Sequence, residues 1–334
     1  MFTVDQPALA ILLCLLTMLC WGSWTNGQKI VTESAPLPLF YRDYVYGILA
    51  MALLLAFTLG SFGSKGRPLL TDVGQAEMAN LLLALAGGVV FNVGNSLLAI
   101  GISRSGISIA MPIGTGLSLA VGLVVNYLAE PKGNLPLLAV GGGAVLAAIA
   151  FSALAYRSKE EKNAPAEHDQ SGIWIALAGG LVAGFFFRIV SASMAKEPAN
   201  PEAGLLTPYS ALVLFSIGIT LSNPIIERLT RRFGLADTGP AKTADRRLTL
   251  RQHGIGLASG LLWSLGMAAL LLGSPQAGDA VSYGLSQGAT IVSVLWGLFL
   301  WKEFEGAPAR AYRYLWLMGI AYVVGLLLIV LARS

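Results

Sequence analysis

Apolar and polar residues along this chain come in blocks. Ten apolar runs stand at roughly 8–30, 38–61, 77–101, 105–128, 134–156, 172–195, 205–223, 254–273, 280–301 and 311–332, each close to the length a helix needs to cross the hydrocarbon core of a bilayer. Backbone N–H and C=O groups find no water there, so each run predicts a helix that bonds its own backbone. The short alternating strands of a membrane barrel are not seen. The expected fold class is an all-α integral membrane protein with ten transmembrane helices, its polar segments lying at the two faces.

The order of the blocks carries a second pattern. Leu85–Ser103 (LAGGVVFNVGNSLLAIGIS) lines up with Leu257–Pro275 (LASGLLWSLGMAALLLGSP), which sets Gly88 on Gly260 and Gly94 on Gly266. One element later Ala110–Gly133 lines up with Tyr283–Gly306, pairing Glu130 with Glu303 and Gly133 with Gly306. The expected organisation is two inverted five-helix repeats, residues 1–156 and 172–334, joined by a polar linker at 157–171. Two similar membrane halves are the usual plan of a secondary transporter, which rocks one half against the other around a central site. Duplication within a membrane scaffold is the alternative.

Composition agrees with the pattern. The 334 residues are 55% hydrophobic and 12% charged, with mean hydropathy +0.68, and a soluble domain carries about twice that charged fraction. The 39 glycines fit closely approaching helices, with Gly87–Gly88, Gly141–Gly143 and Gly179–Gly180 as the expected contacts. The first run follows MFTVDQP, which lacks Lys and Arg, so it reads as a span and not a cleavable signal. Cys14 and Cys20, six residues apart on one helix, face different directions, and no bridge between them is expected. With only His168 and His253 and no Cys/His cluster, no metal site is expected. The Walker phosphate-binding pattern is absent, and no cofactor is expected.

Loop charge predicts orientation. One set of loops holds Lys29, Arg104, Arg157, Lys159, Lys162, Arg228, Arg231, Arg232, Lys242, Arg246, Arg247, Arg251, Lys302, Arg310 and Arg313; the other holds Lys65, Arg67, Lys132, Lys196 and Arg333. The first set is expected to be cytoplasmic, which leaves both termini outside the cytoplasm of an inner-membrane protein. The net charge of +4 then reflects topology and not nucleic-acid binding. The stretch Glu227–Gln252 is read as a solvated loop that can carry a short surface helix.

Ionisable groups inside spans are costly and are functional suspects. Asp43 and Arg42 lie in FYRDYVY near the start of the second run, as a proton-coupling or gating pair or as an interfacial anchor. Adjacent residues on a helix do not face each other, so Asp43 is expected to find its partner on another helix. Arg188, in GFFFRIVSASM, has no acidic neighbour within a turn; it is read as a substrate or gating group, or as an Arg reaching the outer interface. Uncharged polar and aromatic groups complete the candidate site: Trp21, Trp24 and Asn26 in CWGSWTNGQK, Asn92 and Asn95 three apart in FNVGN, Thr115 after Pro112, Trp263, Tyr283, Gln287 and Thr290. Aromatic faces pack on a sugar or a flat heterocycle while amides bond its polar edge. Each amide taken singly also fits an ordinary interhelical hydrogen bond worth about 1 kcal/mol. Glu130 and Glu303 are read as helix-end groups that order loops, not as proton carriers.

These motifs resemble the drug/metabolite transporter superfamily. CWGSWTNGQK is similar to its W-G opening. MPIGTGLSL with NYLAE, and YGLSQGATIVSVLWGLFLWKE, look like the fourth and ninth helices of the glucose/ribose uptake branch. FYRDYVYGILAMALLLAFTLG and AGGVVFNVGN look like the ureide permease branch, and L-rhamnose–proton symporters are a further cousin. The resemblance implies ten helices in two inverted repeats around a central cavity, and proton-driven uptake. It places Trp21 and Gly22 in the opening motif, Asp43 at the acidic position of the ureide-type D-Y pair and Gln287 in the sugar-type S-Q. The chain lacks the large Walker-bearing central loop of plant ureide permeases. The expected function is proton-coupled import of a small neutral polar solute: a monosaccharide, alternatively a ureide, uracil or oxo-purine, or passive facilitation by the same fold. No enzyme activity is expected, and the partners are the solute, the proton and the lipid bilayer, with no nucleic acid and no obligate protein partner.

Overall fold

A computed structural model describes residues 1–105, 107–160, 170–232 and 247–333. The middle of the expected linker, with His168, and most of the Glu227–Gln252 loop lie outside the described residues. Among the described residues the chain is all helix: α1 (Pro7–Ser23), α2 (Thr25–Thr32), α3 (Leu37–Phe57), α4 (Leu69–Gln75), α5 (Met78–Ser105), α6 (Ile107–Ala129), α7 (Leu135–Glu160), α8 (Gln170–Ser191), α9 (Pro208–Arg232), α10 (Leu250–Ala277), α11 (Asp279–Ser286), α12 (Ala289–Phe299) and α13 (Ala309–Leu331). Among the described residues nine spans, α1 and α2 counted as one, are long and apolar enough to cross a bilayer. The protein is an all-α membrane protein.

The ninth expected run corrects the sequence reading, because it is not one helix. It is α11 followed by α12, with Gln287 and Gly288 between them. The N–H of Gly288 bonds the Leu285 carbonyl and that of Ile291 bonds the Gly288 carbonyl, both at 3.0 Å. Such three-residue closures tighten the chain and interrupt the α-ladder. Interrupted backbone at membrane depth is tolerated where protein surrounds it, and α11 is buried along its whole length. Boundaries shift elsewhere. The second run ends as helix at Phe57, the short α4 was not expected, and α9 continues to Arg232, so Glu227 is helical and not loop.

Apolar side chains cover the outside of the bundle. Leu12, Leu54, Val124, Leu128, Trp174, Leu221, Trp316 and Ile320 are all more than half exposed. Lipid supplies no hydrophobic drive to pull such helices together, so association depends on close packing. The glycines do this work at particular places. A Cβ on Gly88 of α5 would lie 2.0 Å from the Phe215 carbonyl oxygen of α9, and one on Gly260 of α10 would lie 2.0 Å from the Tyr44 carbonyl oxygen of α3. Gly94 sits against Ala183 of α8, and Gly266 against Cys20 and Trp21 of α1. Gly180 meets the Gly114 backbone and Gly141 the Gly325 carbonyl, whereas Gly143, expected at a contact, has nothing within 4 Å. Cys14 and Cys20 are free and buried.

The two ends of the bundle are tied differently. At the end holding the N-terminus, Asp72 is fully buried. It accepts from Arg67 Nε at 2.8 Å and from the Thr207 N–H at 2.7 Å. Arg67 also donates to the carbonyls of Pro201 and Leu205 at 2.7 and 2.6 Å. This hub fastens α4 to the segment between α8 and α9. At the opposite end, Lys29 pairs with Glu303, which also accepts from the Tyr156 hydroxyl at 3.1 Å.

Gly88→Val and Gly260→Val are expected to lower the melting temperature in detergent sharply, since overpacking against a backbone carbonyl costs about 1–3 kcal/mol or more. Gly143→Ala, with open space around it, is expected to melt like the parent. Equal tolerance of all three would show that these contacts do not set helix spacing.

Candidate functional site

An aromatic wall forms where α1, α3, α5, α8 and α10 meet. Gly22 starts it. A Cβ there would lie 2.5 Å from the Ala289 carbonyl oxygen, so the glycine lets α1 press on α12, and the neighbouring Trp21 turns toward α10. Trp21 stacks on Trp263 with ring centres 5.3 Å apart and planes 6° apart, and its indole N–H donates to the Trp263 carbonyl at 3.2 Å. Trp24 stacks on Tyr44 at 4.6 Å. Tyr41 and Tyr44, three apart on α3 and therefore on one face, lie 5.3 Å from each other. Phe91 of α5 packs on Trp263 at 4.7 Å and on Phe186 at 5.3 Å. The Asn95 amide donates to the Tyr41 hydroxyl. Trp21, Trp24, Tyr41, Phe91 and Asn95 stay half-buried. The wall thus offers ring faces with one amide and one phenol beside them, the chemistry that holds a small cyclic polar solute.

The structure brings Trp21, Trp24, Asn95 and Trp263 together and separates the other sequence candidates from them. Asn92 does not share Asn95's surroundings. It is buried and donates to the Ile219 carbonyl at 3.3 Å and to the Ser222 hydroxyl at 3.0 Å, a clip from α5 to α9. Residues three apart lie about 60° off each other around a helix, and on α5 that angle carries Asn92 to α9 and Asn95 to Tyr41 of α3. Thr115 returns its hydroxyl to the Met111 carbonyl at 2.8 Å, one turn back along its own helix. Tyr283 is fully buried, with its hydroxyl 2.9 Å from that of Ser118 on α6. It reaches the wall only through Phe186, 6.2 Å away. Gln287 and Thr290 flank the break between α11 and α12. Asn26 sits at the Glu303 end and accepts from the Trp301 indole at 2.7 Å. Tyr41, Tyr44 and Phe91 were missed as wall residues. Tyr41 and Tyr44 stood in FYRDYVY, where the charges drew attention first.

The ionisable candidates each find a partner that the sequence did not reveal. Asp43 is 7% exposed, and its Oδ2 lies 2.6 Å from Nδ1 of His253 on α10, while exposed Arg42 stays 3.9 Å away. His253 was passed over because it falls just before the eighth apolar run. Arg188 lies 3.8 Å from Asp279 at the start of α11, a residue 2% exposed. The available signal was a lone acid opening an apolar run, in GDAVSYG. Nearby, Glu130 pairs with Lys132 at 2.7 Å and Lys196 at 2.5 Å. Among the described residues no group of three His, Cys, Asp or Glu side chains is arranged to hold a metal ion.

Burial is the largest influence on Glu130 and opposes its charge, but the hydrogen bonds and charges of Lys132 and Lys196 together outweigh it and hold the carboxyl below its usual value of 4.5. A carboxyl depressed on folding stabilises the protein above the unfolded value and loses that contribution as pH falls through the folded one. Melting temperature is therefore expected to fall on acidification below about pH 4.5, and Glu130→Gln is expected to flatten that part of the profile. An unchanged slope in the variant would remove Glu130 from the acid response.

Comparison with known proteins follows these motifs. The family model described as Ureide permease matches residues 40–173, the stretch that holds FYRDYVY and FNVGN. Ureide permease 4 of Arabidopsis thaliana is 24% identical over 100% of this chain and 99% of its own length. Ureide permease 2 of the same plant is 28% identical, over 49% of this chain and 42% of its own. The glucose uptake protein GlcU of Bacillus subtilis (strain 168) is 24% identical, over 96% of each chain. A solved crystal structure superposes with TM-score 0.64 at 14% identity, covering 98% of this chain and 100% of that one, which shows the fold alone. The chain is thus similar, over its full length, to ureide permeases and to bacterial sugar uptake proteins, the two branches of the drug/metabolite transporter superfamily that its motifs resemble.

Proposed function

We propose that the chain is a secondary active transporter of the inner membrane that imports a small neutral polar solute together with a proton. The observation that carries the reading is the aromatic wall with Asn95, built jointly by α1, α3 and α5 of the first half and α8 and α10 of the second. A site shared between halves is one that rocking can expose to either side.

The contacts of the paired positions support two inverted repeats. Gly88 and Gly260 each admit a backbone carbonyl of the other half, on α9 and α3 respectively. Gly94 and Gly266 face the matching helices α8 and α1. Gly133 and Gly306 both take positive φ, 95° and 73°. Glu130 and Glu303 each pair with a lysine of the other half, Lys196 and Lys29, at opposite ends of the bundle. The positive-inside bias puts the Glu303 end in the cytoplasm and both termini outside.

A monosaccharide is the first substrate class, since its C–H face packs on Trp21 or Trp24 while Asn95 bonds its hydroxyls. A ureide or nucleobase is the second, favoured by the family match over residues 40–173. Asp43 with His253 lies toward the cytoplasmic end, where the pair suits inner proton release. No catalytic chemistry enters this reading.

Purified protein screened against glucose, allantoin and uracil is expected to melt higher with one class, by the equivalent of about 2.7 kcal/mol when the ligand is at 100 times its Kd. Asn95→Ala is expected to weaken that ligand about tenfold or more, the loss of a hydrogen bond in a dry site. Addition of the stabilising solute to energised-free vesicles is expected to alkalinise the medium, and Asp43→Asn is expected to abolish gradient-driven accumulation while sparing counterflow. Uptake without alkalinisation would identify a passive facilitator instead.

A further inference from the structure

Asp279 is a deeply buried acid that the reading above leaves unused. It opens α11 at the end opposite Asp43, and it is 2% exposed. Its Oδ2 is buried without a hydrogen-bond partner. Two cations approach that oxygen, Arg188 of α8 and Lys196 of the following segment, each at 3.8 Å. This is ion-pair range but beyond hydrogen-bond range. Lys196 is shared, since it bonds Glu130 at 2.5 Å, and Glu130 also holds Lys132. Arg333, after α13, has its guanidinium on the Gln276 carbonyl at 3.3 Å. From α1 the nearest titratable group is the Cys14 thiol, beside Ser282. The charged residues of α7 and α10 (Arg157, Lys159, Glu160, Arg251 and His253) stand at their opposite ends.

We propose that Asp279 is the site where the coupling proton enters from outside, and that its charge is what clasps α8 to α11 at that end. This rests on the reading of the chain as a proton-coupled transporter. Ionised, Asp279 attracts Arg188 and Lys196 and holds the outer end shut. An external proton bound at Oδ2 makes a neutral carboxylic acid with a donor in place of the orphaned acceptor. Lys196 then stays with Glu130, Arg188 is free to turn toward the outer interface, and α8 can part from α11. No other bond is made or broken. Arg188 acts in this scheme as a positioning group and not as a ligand for the solute.

Opening of this end can be read without a known solute. Spin labels at Gln276→Cys and Glu197→Cys, both exposed, in protein with Cys14 and Cys20 replaced by alanine, report in nanodiscs the separation of the α10–α11 junction from the segment after α8. A longer-distance population is expected to grow at least about threefold as pH falls from about 8 to about 5. In Asp279→Asn it is expected to be equally populated at both pH values. Asp279→Glu is expected to keep the pH dependence with a shifted midpoint, and it decides the matter if the Asn variant fails to fold. Glu130→Gln is expected to keep the dependence. No pH response in the parent, a parental response in Asp279→Asn, an unmoved midpoint in Asp279→Glu, or loss of the response in Glu130→Gln alone would each overturn the assignment. Solute uptake indifferent to the proton gradient, with the Asp279-dependent opening intact, would instead sink the coupled-import reading and leave this site standing.

Discussion

Everything in this protein follows from one constraint: a backbone polar group in hydrocarbon must be bonded within the protein. That requirement turns each apolar run into a helix and leaves the outside of the bundle covered by residues such as Leu128, Trp174 and Trp316. It also sets what the helices can then do. Lipid is as apolar as leucine, so nothing but shape and a few polar contacts draws one helix to another. The closest approaches are therefore glycine against carbonyl, as at Gly88 with Phe215 and Gly260 with Tyr44.

The same scarcity of water draws polar residues inside the bundle to partners on neighbouring helices. Thr17 bonds the Gly266 carbonyl across helices at 2.9 Å, and Asn92 clips α5 to α9. Charges gather at the ends, where water and opposite charges are both in reach. The Asp72–Arg67 hub fixes one end of the molecule as a scaffold. Glu130 with Lys196 and Glu303 with Lys29 likewise join residues far apart in the chain, while Asp279 faces Arg188 and Lys196.

Between the ends, half-buried rings and a half-buried amide coincide at the wall around Trp21 and Trp263. Its aromatic rings pack on one another across five helices.

The position and apolar character of most helices were legible in the sequence because they depend on local composition and on the length of each run. The paired glycines and glutamates were legible for the same reason, as marks repeated at fixed spacing. The ninth element was not, because the interruption at Gln287–Gly288 is stable only inside the packing of α11 against its neighbours. The partners of the buried charges were not legible either. His253 stands 210 residues from Asp43, and Asp279 stands 91 residues from Arg188. Periodicity along one helix carries no information about which face of another it will meet. That choice belongs to the tertiary structure, where close packing and the cost of an unpaired buried charge decide it together.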